Sequence, residues 1–224
     1  MVKAVIFDMY ETLITLFESP LYFGTQMSVD AGIDERDFQA IWEIAEEDRT
    51  IGKITLEEIL EKILKVNGCY SINKMNFIVK KRIQCKEEAF ENLHNEIVPM
   101  LKLLKEKGIL IGLISNCFSE EAMVIRKSIL FPYFDAVCLS FDEGLQKPDL
   151  AIFNRCLEKL NIQAGECLYV GDGGSSELEA AQLVGMKAVQ AVWYLKEGTS
   201  QATKRKPEFE QLETPFEVFN FIKG

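Results

Sequence analysis

Five short apolar runs constrain the fold of this 224-residue chain more than any other feature of its sequence. They span residues 2–8, 110–115, 136–140, 167–171 and 187–193. Runs that are apolar on both faces are typical of parallel strands covered by helices on both sides. Segments of helical length separate the later runs, so the sequence predicts a Rossmann-like, doubly wound parallel α/β sheet with the first strand in its middle.

The segments between the later runs carry the start and stop signals of helices. We predict helices over residues 95–107, 119–130, 149–160 and 176–184, with a last one over 214–222. Gly108 follows the first of them, Ser119 can cap the second and Pro148 precedes the third. These signals support the alternation of strand and helix that the apolar runs predict.

Residues 14–92 have no convincing strand pattern. Apolar side chains recur there at helical spacing among many charges, for example Phe38, Ile41 and Trp42, then Ile59 and Ile63. We interpret the stretch as a smaller α-helical domain inserted after the first strand. The predicted domains are an α/β core of residues 1–15 and 92–224 and a helical domain of residues 16–91. Trp42 either belongs to the core of the helical domain or lines a substrate cleft.

Composition and charge narrow the function classes. The net charge of −10 argues against binding to nucleic acid or to an anionic membrane surface, although a single pocket can still be positive. The six cysteines are scattered without a CxxC pair, which favours buried thiols in a reducing cytoplasm. The single histidine, His94, excludes a multi-histidine metal site. No run resembles a signal peptide or reaches transmembrane length, so we expect a cytoplasmic protein with a small-molecule partner.

Polar residues follow the predicted strands at the edge where open α/β sheets bind ligands. They are Asp8, Ser115, Asn116, Lys147, Asp172 and Glu177. Carboxylates that are brought together repel unless a cation intervenes, so the acids indicate a hard divalent ion such as Mg²⁺. Ser115 and Lys147 supply donors for a phosphate-like anion, and an aspartate in that field can act as a nucleophile. Each residue alone also fits a plain turn, cap or solvated charge.

The ordered set of these residues resembles the haloacid dehalogenase-like (HAD) hydrolase superfamily. FDMYETL resembles the first motif of that family, LISNC the second, the lysine of LQKPD the third, and VGDGGSSELEAAQLVGM the fourth. The resemblance covers residues 2–13 and 94–193. The helical domain resembles the cap that the family carries between its first and second motifs. The resemblance therefore implies a hydrolase with an aspartate nucleophile.

The resemblance also implies a role for each residue. Asp8 attacks the substrate and forms an aspartyl intermediate. Asp8, the backbone carbonyl of Tyr10 and Asp172 hold Mg²⁺, and Glu177 reaches the ion directly or through water. Thr12, Ser115 and Lys147 bind the transferring group. Asn116 contributes a backbone donor.

Tyr10 departs from the phosphatases of this superfamily, most of which carry a second aspartate at that position. A tyrosine, with a pKa of about 10, is a poor base at neutral pH. Tyrosine here resembles the 2-haloacid dehalogenases, whose halide leaving group needs no proton. The dehalogenases use no metal, so the acids Asp172 and Glu177 favour a phosphoryl substrate. Gln39 stands nearer than Arg36 to the place where dehalogenases carry a carboxylate-binding arginine, which also favours the phosphoryl branch.

Lys53, in IGKITLEE, stands where caps of this type place a substrate-contacting loop. It is a candidate for substrate specificity, and otherwise a solvated lysine before a capped helix. The leading hypothesis is a Mg²⁺-dependent phosphatase that acts on a small phosphorylated metabolite through an aspartyl-phosphate on Asp8, as a monomer or homodimer. The alternatives are a 2-haloacid dehalogenase and a catalytically weakened binding or regulatory protein on the same scaffold.

Overall fold

The computed structural model describes residues 1–196 and 203–222. The strands of this part of the chain are β1 (Ala4–Phe7), β2 (Leu110–Ser115), β3 (Ala136–Leu139), β4 (Cys167–Gly171), β5 (Lys187–Ala191) and β6 (Glu210–Leu212). They form one parallel sheet in the order β3-β2-β1-β4-β5-β6. β1 therefore lies between β2 and β4, which confirms the predicted parallel sheet with its first strand in the middle.

All five predicted strands are present, and β6 is an addition that the sequence did not predict. β6 has only three residues and pairs with β5 at the edge of the sheet. Glu210 is exposed and Gln211 half-buried, so Leu212 alone carries an apolar signal. A pattern search that looks for runs of apolar residues therefore passes over it.

The helices in the described residues are α1 (Gly24–Ala31), α2 (Glu35–Trp42), α3 (Glu46–Thr50), α4 (Leu56–Val66), α5 (Ile72–Glu88), α6 (Ile97–Glu106), α7 (Ser119–Lys127), α8 (Ser140–Glu143), α9 (Leu150–Leu160) and α10 (Glu177–Val184). Four of them match the helices predicted between the later strands. The predicted last helix is wrong in type, because Pro215–Phe221 forms a 3₁₀-helix. This segment, PFEVFNF, is rich in aromatic and β-branched residues, which have low α-helix propensity.

Helices cover both faces of the sheet. Along β1, the side chains of Val5 and Phe7 pack in one apolar cluster with α6 and α7. The side chains of Ala4 and Ile6 point to the other face and pack with α9 and α10. All four residues are fully buried, which explains why the first strand is apolar at every position.

Helices α1 to α5 lie between β1 and α6 and have an apolar cluster of their own. We call residues 16–91 the helical segment; all of them are described, and none lies in a strand. The cluster includes Phe38, Leu60 and Ile63, and Trp42 is part of it. The confirmed α/β fold thus carries the predicted helical insertion, while the division of the chain at residues 15/16 and 91/92 stays a prediction.

A buried ion cluster joins the helical segment to the rest of the protein. Nε of Arg82 on α5 donates to Oε1 of Glu120 on α7 over 2.5 Å. Nζ of Lys86 lies 2.7 Å from Oε1 of Glu121, which is also 3.7 Å from Nη2 of Arg82. All four side chains are at most 8 % exposed. The two cations and two carboxylates balance one another at the junction of α5 and α7.

Replacing Arg82 with methionine should destabilise the protein by about 3–5 kcal/mol, because Glu120 would stay buried without its ion partner. Lys81→Met is the matched control on the same helix. Lys81 pairs with Asp30 at 44 % side-chain exposure, so its loss should cost less than about 1 kcal/mol. Urea unfolding of both variants measures the difference. Equal shifts of the unfolding midpoint for the two variants would contradict this account of the junction.

All six cysteines are free thiols, and four of them are buried, in agreement with the sequence. None of the helices in the described residues combines the length and apolar character that crossing a membrane requires.

Candidate active site

Asp8 follows the last residue of β1 at the carboxyl end of the sheet. Its backbone N–H donates to the carbonyl of Val170 on β4 over 3.0 Å, which continues the strand pairing and fixes its direction. The side chain is buried, at 5 % exposure. Nζ of Lys147 donates to Oδ1 over 2.5 Å, whereas Oγ1 of Thr12 makes a long contact of 3.5 Å with Oδ2. One carboxylate oxygen is thus charge-paired and the other is held weakly.

Lys147 is positioned by its backbone as well as by its ammonium group. The side chain of Asn116 accepts from the backbone N–H of Lys147 over 2.8 Å and donates to its carbonyl over 3.0 Å. This pair of bonds fixes the loop before α9 to the end of β2. The sequence had predicted a backbone donor at Asn116. The structure brings its side chain to the site as the anchor of Lys147, a role the sequence did not predict.

Ser115 and Thr12 lie near the nucleophile without strong bonds of their own. Ser115 is the last residue of β2 and is fully buried, and its hydroxyl makes a long 3.4 Å contact with the carbonyl of Asn116. Thr12 is also fully buried. The two hydroxyls are therefore available as donors to a bound anion, and their role in gripping the transferring group stays a prediction.

The three predicted acids meet at the carboxyl end of the sheet. Carboxylate oxygens of Asp8, Asp172 and Glu177 all lie within 4.8 Å of one another. Asp172 is oriented by the backbone N–H of Gly174, which donates to Oδ1 over 2.9 Å, and by Oγ1 of Thr203, which donates to Oδ2 over 2.6 Å. The ends of β1 and β4 thus bring together acids that are far apart in the sequence.

Glu177, the first residue of α10, is held by three donors. Nζ of Lys147 and the hydroxyl of Tyr169 donate to Oε2 over 2.5 and 2.8 Å, and the backbone N–H of Gly173 donates to Oε1 over 3.1 Å. A Cβ on Gly171 would stand 2.0 Å from Oε1, so only glycine leaves room for the carboxylate there. Glu177 is fully buried in this position.

Burial and mutual repulsion raise the pKa values of the acids. Burial raises the pKa of Asp8 to about 7 despite the nearby Lys147. Burial also raises the pKa of Asp172, with Asp8 adding to the shift, and that of Glu177. For Lys147, burial opposes the charged form, but Asp8 and Glu177 raise its pKa above the ordinary value.

The donor set fits a hard divalent cation. Asp8, Asp172 and Glu177 face one ammonium group, that of Lys147, so the buried group has more negative than positive charge when ionised. A divalent ion with a preference for oxygen ligands balances such a cluster. Glu177 is paired with Lys147 and accepts two further hydrogen bonds, whereas Asp172 has no ion pair among the described residues, so Asp172 is the better placed of these two acids to bind the ion directly beside Asp8.

Tyr10 lies beside the nucleophile with a buried hydroxyl. That hydroxyl has no hydrogen-bond partner among the described residues. Nζ of Lys86 stands 5.5 Å from the centre of its ring. Burial raises the pKa of Tyr10 well above its ordinary value, and Glu121 adds to the shift. The phenol is therefore neutral near pH 7 and unable to act as a base, in line with the expectation from the sequence.

A cavity of about 920 Å³ opens between the sheet edge and the helical segment. Tyr10, Asn116 and Lys147 line it on the sheet side, and Trp42 and Arg49 on the helical side. Trp42 belongs to the apolar cluster of the helical segment and also lines the cavity, so it has both of the roles that the sequence allowed.

Lys53 does not line this cavity. Its ammonium group is exposed and pairs with Oδ1 of Asp48 over 3.1 Å. The structure therefore does not bring Lys53 to the other candidate residues, and it fits the plain solvated lysine that the sequence also allowed.

Sequence reasoning missed several residues of the site. Thr203 lies in a polar stretch with no motif, and nothing in the sequence connects it to Asp172. Tyr169 counted only as part of an apolar strand, although a tyrosine inside a buried strand needs a partner for its hydroxyl. Arg49 had no signal beyond its charge. The positions of these three side chains depend on tertiary packing, which sequence motifs do not indicate.

Comparisons with known proteins find relatives along the whole chain. A model of the family described as haloacid dehalogenase-like hydrolase matches residues 2–185. The glyceraldehyde 3-phosphate phosphatase of Methanopyrus kandleri is 23 % identical over 238 residues, covering 100 % of this chain and 98 % of the relative. The N-acylneuraminate-9-phosphatase of Rattus norvegicus is 28 % identical over 106 residues, covering 47 % of this chain and 42 % of the relative.

A solved structure has the same fold. It is an HAD family enzyme of Bacteroides thetaiotaomicron in complex with magnesium and inorganic phosphate. The two chains superpose with a TM-score of 0.66 at 19 % identity, covering 90 % of this chain and 98 % of the other.

Proposed function

The chain belongs to the haloacid dehalogenase-like hydrolase family, and on that premise we propose that it is a Mg²⁺-dependent phosphatase acting on a small phosphorylated metabolite. The observation that carries the proposal is the state of Asp8. Its buried carboxylate has Lys147 on Oδ1, and the contact of Thr12 with Oδ2 is long. A carboxylate held in this way, beside a cavity and a cluster of acids, is suited to attack an electrophilic phosphorus.

In the first step, Oδ2 of Asp8 attacks the phosphorus atom of the substrate and the bond from phosphorus to the leaving oxygen breaks. The product of this step is an aspartyl-phosphate, and the leaving group departs as an alcohol or its anion. Lys147 offsets charge on Asp8 and on the phosphoryl oxygens, while Thr12 and Ser115 donate hydrogen bonds to those oxygens. In the second step, water attacks the phosphorus, the bond from phosphorus to Oδ2 of Asp8 breaks, and inorganic phosphate leaves with the proton of the water while the Asp8 carboxylate is restored.

Protonation of the leaving oxygen is the step that this site supports least. Tyr10 stands where most phosphatases of the family carry an aspartate, and its raised pKa makes it a poor partner for proton transfer. Alkyl phosphates, whose leaving group must be protonated, should therefore turn over slowly. Acyl and aryl phosphates depart as stable anions, so they should be better substrates.

Asp8 and Asp172 would hold the Mg²⁺ ion together with the backbone carbonyl of Tyr10, and Glu177 would orient Lys147 beside them. When bound, the ion would supply positive charge that stabilises the transferring phosphoryl group. The excess of buried carboxylates over cations at this sheet edge supports the assignment. So does the related structure, which contains magnesium and phosphate.

The substrate is not identified by the relatives. One is named for an aldehyde phosphate and the other for a sugar-acid phosphate, at 23 % and 28 % identity. Their shared chemistry is the hydrolysis of a phosphate monoester on a small metabolite. That shared class is what we propose for this chain.

A substrate panel tests the function. We expect phosphate release from acyl and aryl phosphates, weaker release from alkyl phosphates, and loss of both in EDTA with recovery on added Mg²⁺. Release of chloride from 2-chloropropionate, measured in the same EDTA buffer, is the matched arm for the dehalogenase alternative. Full phosphatase activity in EDTA, or halide release in place of phosphate release, would overturn the proposal.

Mg²⁺ should raise the unfolding temperature of the protein, and more so at about pH 8 than at about pH 5. Asp8 has a folded pKa of about 7, so below that pH a proton competes with the ion for the carboxylate. The same raised pKa makes the metal-free protein less stable as pH rises toward 7, because its folded state binds the proton more tightly than the unfolded state does. At a free Mg²⁺ concentration of about 100 times its Kd, binding should raise the free energy of unfolding by about 2.7 kcal/mol.

Thermal unfolding with and without Mg²⁺ at the two pH values measures this effect, with Asp172→Asn as the variant that should lose it. A shift that is equal at both pH values, or that survives Asp172→Asn unchanged, would place the ion elsewhere.

A further inference from the structure

The cavity wall formed by the helical segment contains a buried charge that the chemistry at Asp8 does not use. Arg49, on α3, is 2 % exposed and lines the cavity. Its guanidinium carbon lies 3.6 Å from the ring centre of Trp42 and 4.1 Å from that of Phe118. The two rings hold the guanidinium group by cation–π contacts and fix its position.

The hydrogen bonds of Arg49 are incomplete. Nη2 donates to the carbonyl of Trp42 over 3.3 Å. Nε and Nη1 are buried and have no hydrogen-bond partner among residues 1–196 and 203–222. Leaving donors of a charged group unpaired in the interior costs free energy, so a partner for them is expected. Arg49 also lines the cavity, so a ligand bound there lies next to the guanidinium group.

Arg49 also differs from the other buried cations in lacking a counter-ion. Arg82 and Lys86 are paired with Glu120 and Glu121, and Lys147 with two carboxylates of the sheet edge. In the described part of the chain, Arg49 has no carboxylate within 4.0 Å. Burial and the neighbouring Arg82 lower the pKa of Arg49 to about 10, so it is still a cation near neutral pH.

The acids on the same helix do not supply that counter-ion. Glu46 and Glu47 also border the cavity, but both side chains are exposed to solvent. Their attraction to Arg49 is screened by water and salt, whereas an anion inside the cavity would not be. The buried acids Glu120 and Glu121 also attract Arg49, but they are paired with Arg82 and Lys86. These three cations and two carboxylates together keep one positive charge at the cavity wall.

We propose that Arg49 binds a second anionic group of the substrate, so that the substrate class is a small phosphorylated metabolite that also carries a carboxylate or a second phosphate. The inference rests on the proposed phosphatase function, because the first phosphate is the one attacked by Asp8. It makes Arg49 a specificity residue of the helical segment. A guanidinium with free N–H donors suits the oxygens of either anion.

The test compares three matched series of phosphate monoesters: ω-phosphorylated carboxylic acids, bisphosphates and neutral ω-phosphorylated alcohols of equal chain lengths. The native protein should prefer one of the two anionic series. In Arg49→Met, the ratio of kcat/KM for that series to kcat/KM for the neutral series should fall about 30-fold or more, mainly through KM. Arg49→Lys should keep part of the ratio, since it keeps the charge but loses the planar fork.

Arg36→Met is the control, because Arg36 lies on α2 with its side chain 87 % exposed and should leave the ratio unchanged. Methionine at position 49 also removes an unpaired buried charge, so Arg49→Met should unfold at the same or a higher temperature than the native protein. A native protein with no preference for either anionic series, or an unchanged ratio in Arg49→Met, would overturn the proposal.

A binding measurement separates this inference from the phosphatase activity. Calorimetric titration of the Asp8→Asn protein with the same three series requires no turnover. Tighter binding of one anionic series that is lost when Arg49→Met is added would support the role of Arg49 even if no phosphatase activity is found. Equal affinity for all three series, with or without Arg49, would refute it even if the phosphatase activity is established.

Discussion

Replacing Asp8 with asparagine should reduce phosphatase turnover by about 10⁴-fold or more, because the amide oxygen cannot form the aspartyl-phosphate. The fold should survive the change. Burial disfavours the charged form of Asp8 and raises its pKa to about 7, so a neutral amide is tolerated at this position. Lys147 keeps its ion pair with Glu177 in the variant. Steady-state kinetics with an aryl phosphate, together with circular dichroism, distinguish the loss of a nucleophile from the loss of the fold.

Asp149→Asn is the matched control for Asp8→Asn. Asp149 precedes α9 at the same end of the sheet, and its side chain accepts from the backbone N–H of Ala151. Asparagine caps a helix about as well as aspartate, so this variant should keep its activity. If Asp8→Asn kept more than a tenth of the native rate, Asp8 would not be the nucleophile. If a cellular function survived a complete loss of turnover, the chain would act as a binding or regulatory protein.

Replacing Tyr10 with aspartate should speed the hydrolysis of alkyl phosphates by about 10²-fold or more, which lies within the range expected for a general acid–base. Aspartate at this position would have the role that most phosphatases of the family give to their second aspartate. Lys86, near the ring of Tyr10, would partly offset the repulsion from Glu121. Acyl phosphates should gain less, because only the hydrolysis of the aspartyl-phosphate, and not the departure of their leaving group, needs the acid–base.

Tyr10→Phe is the control for this gain. The Tyr10 hydroxyl has no hydrogen-bond partner in the part of the chain that the structure describes, so its removal should cost little stability and change the rate on alkyl phosphates by less than about threefold. The comparison of kcat for alkyl and acyl phosphates in the three proteins measures the effect. A Tyr10→Phe variant as slow as a protein without its nucleophile would show that the phenol itself takes part in catalysis.

The positions of Asp8, Asp172 and Glu177 could be predicted because each lies at or just after the end of a buried strand. Parallel strands bring their carboxyl ends to one edge, so residues far apart in the sequence meet there whatever the loops between them do. The same rule placed Lys147 near Asp8. What it could not provide was the direction of each side chain, and Asn116 is the example: its amide anchors Lys147 through two hydrogen bonds.

The helical segment was less predictable at the level of single residues. Lys53 and Arg49 are four positions apart and both basic, and the sequence pointed to Lys53. Their roles separate only when α3 packs against Trp42 and Phe118, which buries Arg49 and leaves Lys53 paired with Asp48 at the surface. Thr203 shows the same limit, because its bond to Asp172 joins residues 31 positions apart that no motif connects.

The most direct test of the central claim is to detect the phosphoryl group on Asp8. Mixing the protein with an acyl phosphate and Mg²⁺, quenching in acid within a turnover and analysing the peptides by mass spectrometry would reveal the intermediate. Because Tyr10 is a poor base, hydrolysis of the aspartyl-phosphate should be slow and the intermediate should accumulate. We expect one phosphoryl group on Asp8 and none in Asp8→Asn. Turnover with Asp8 unmodified, or with the phosphoryl group on another residue, would contradict the account.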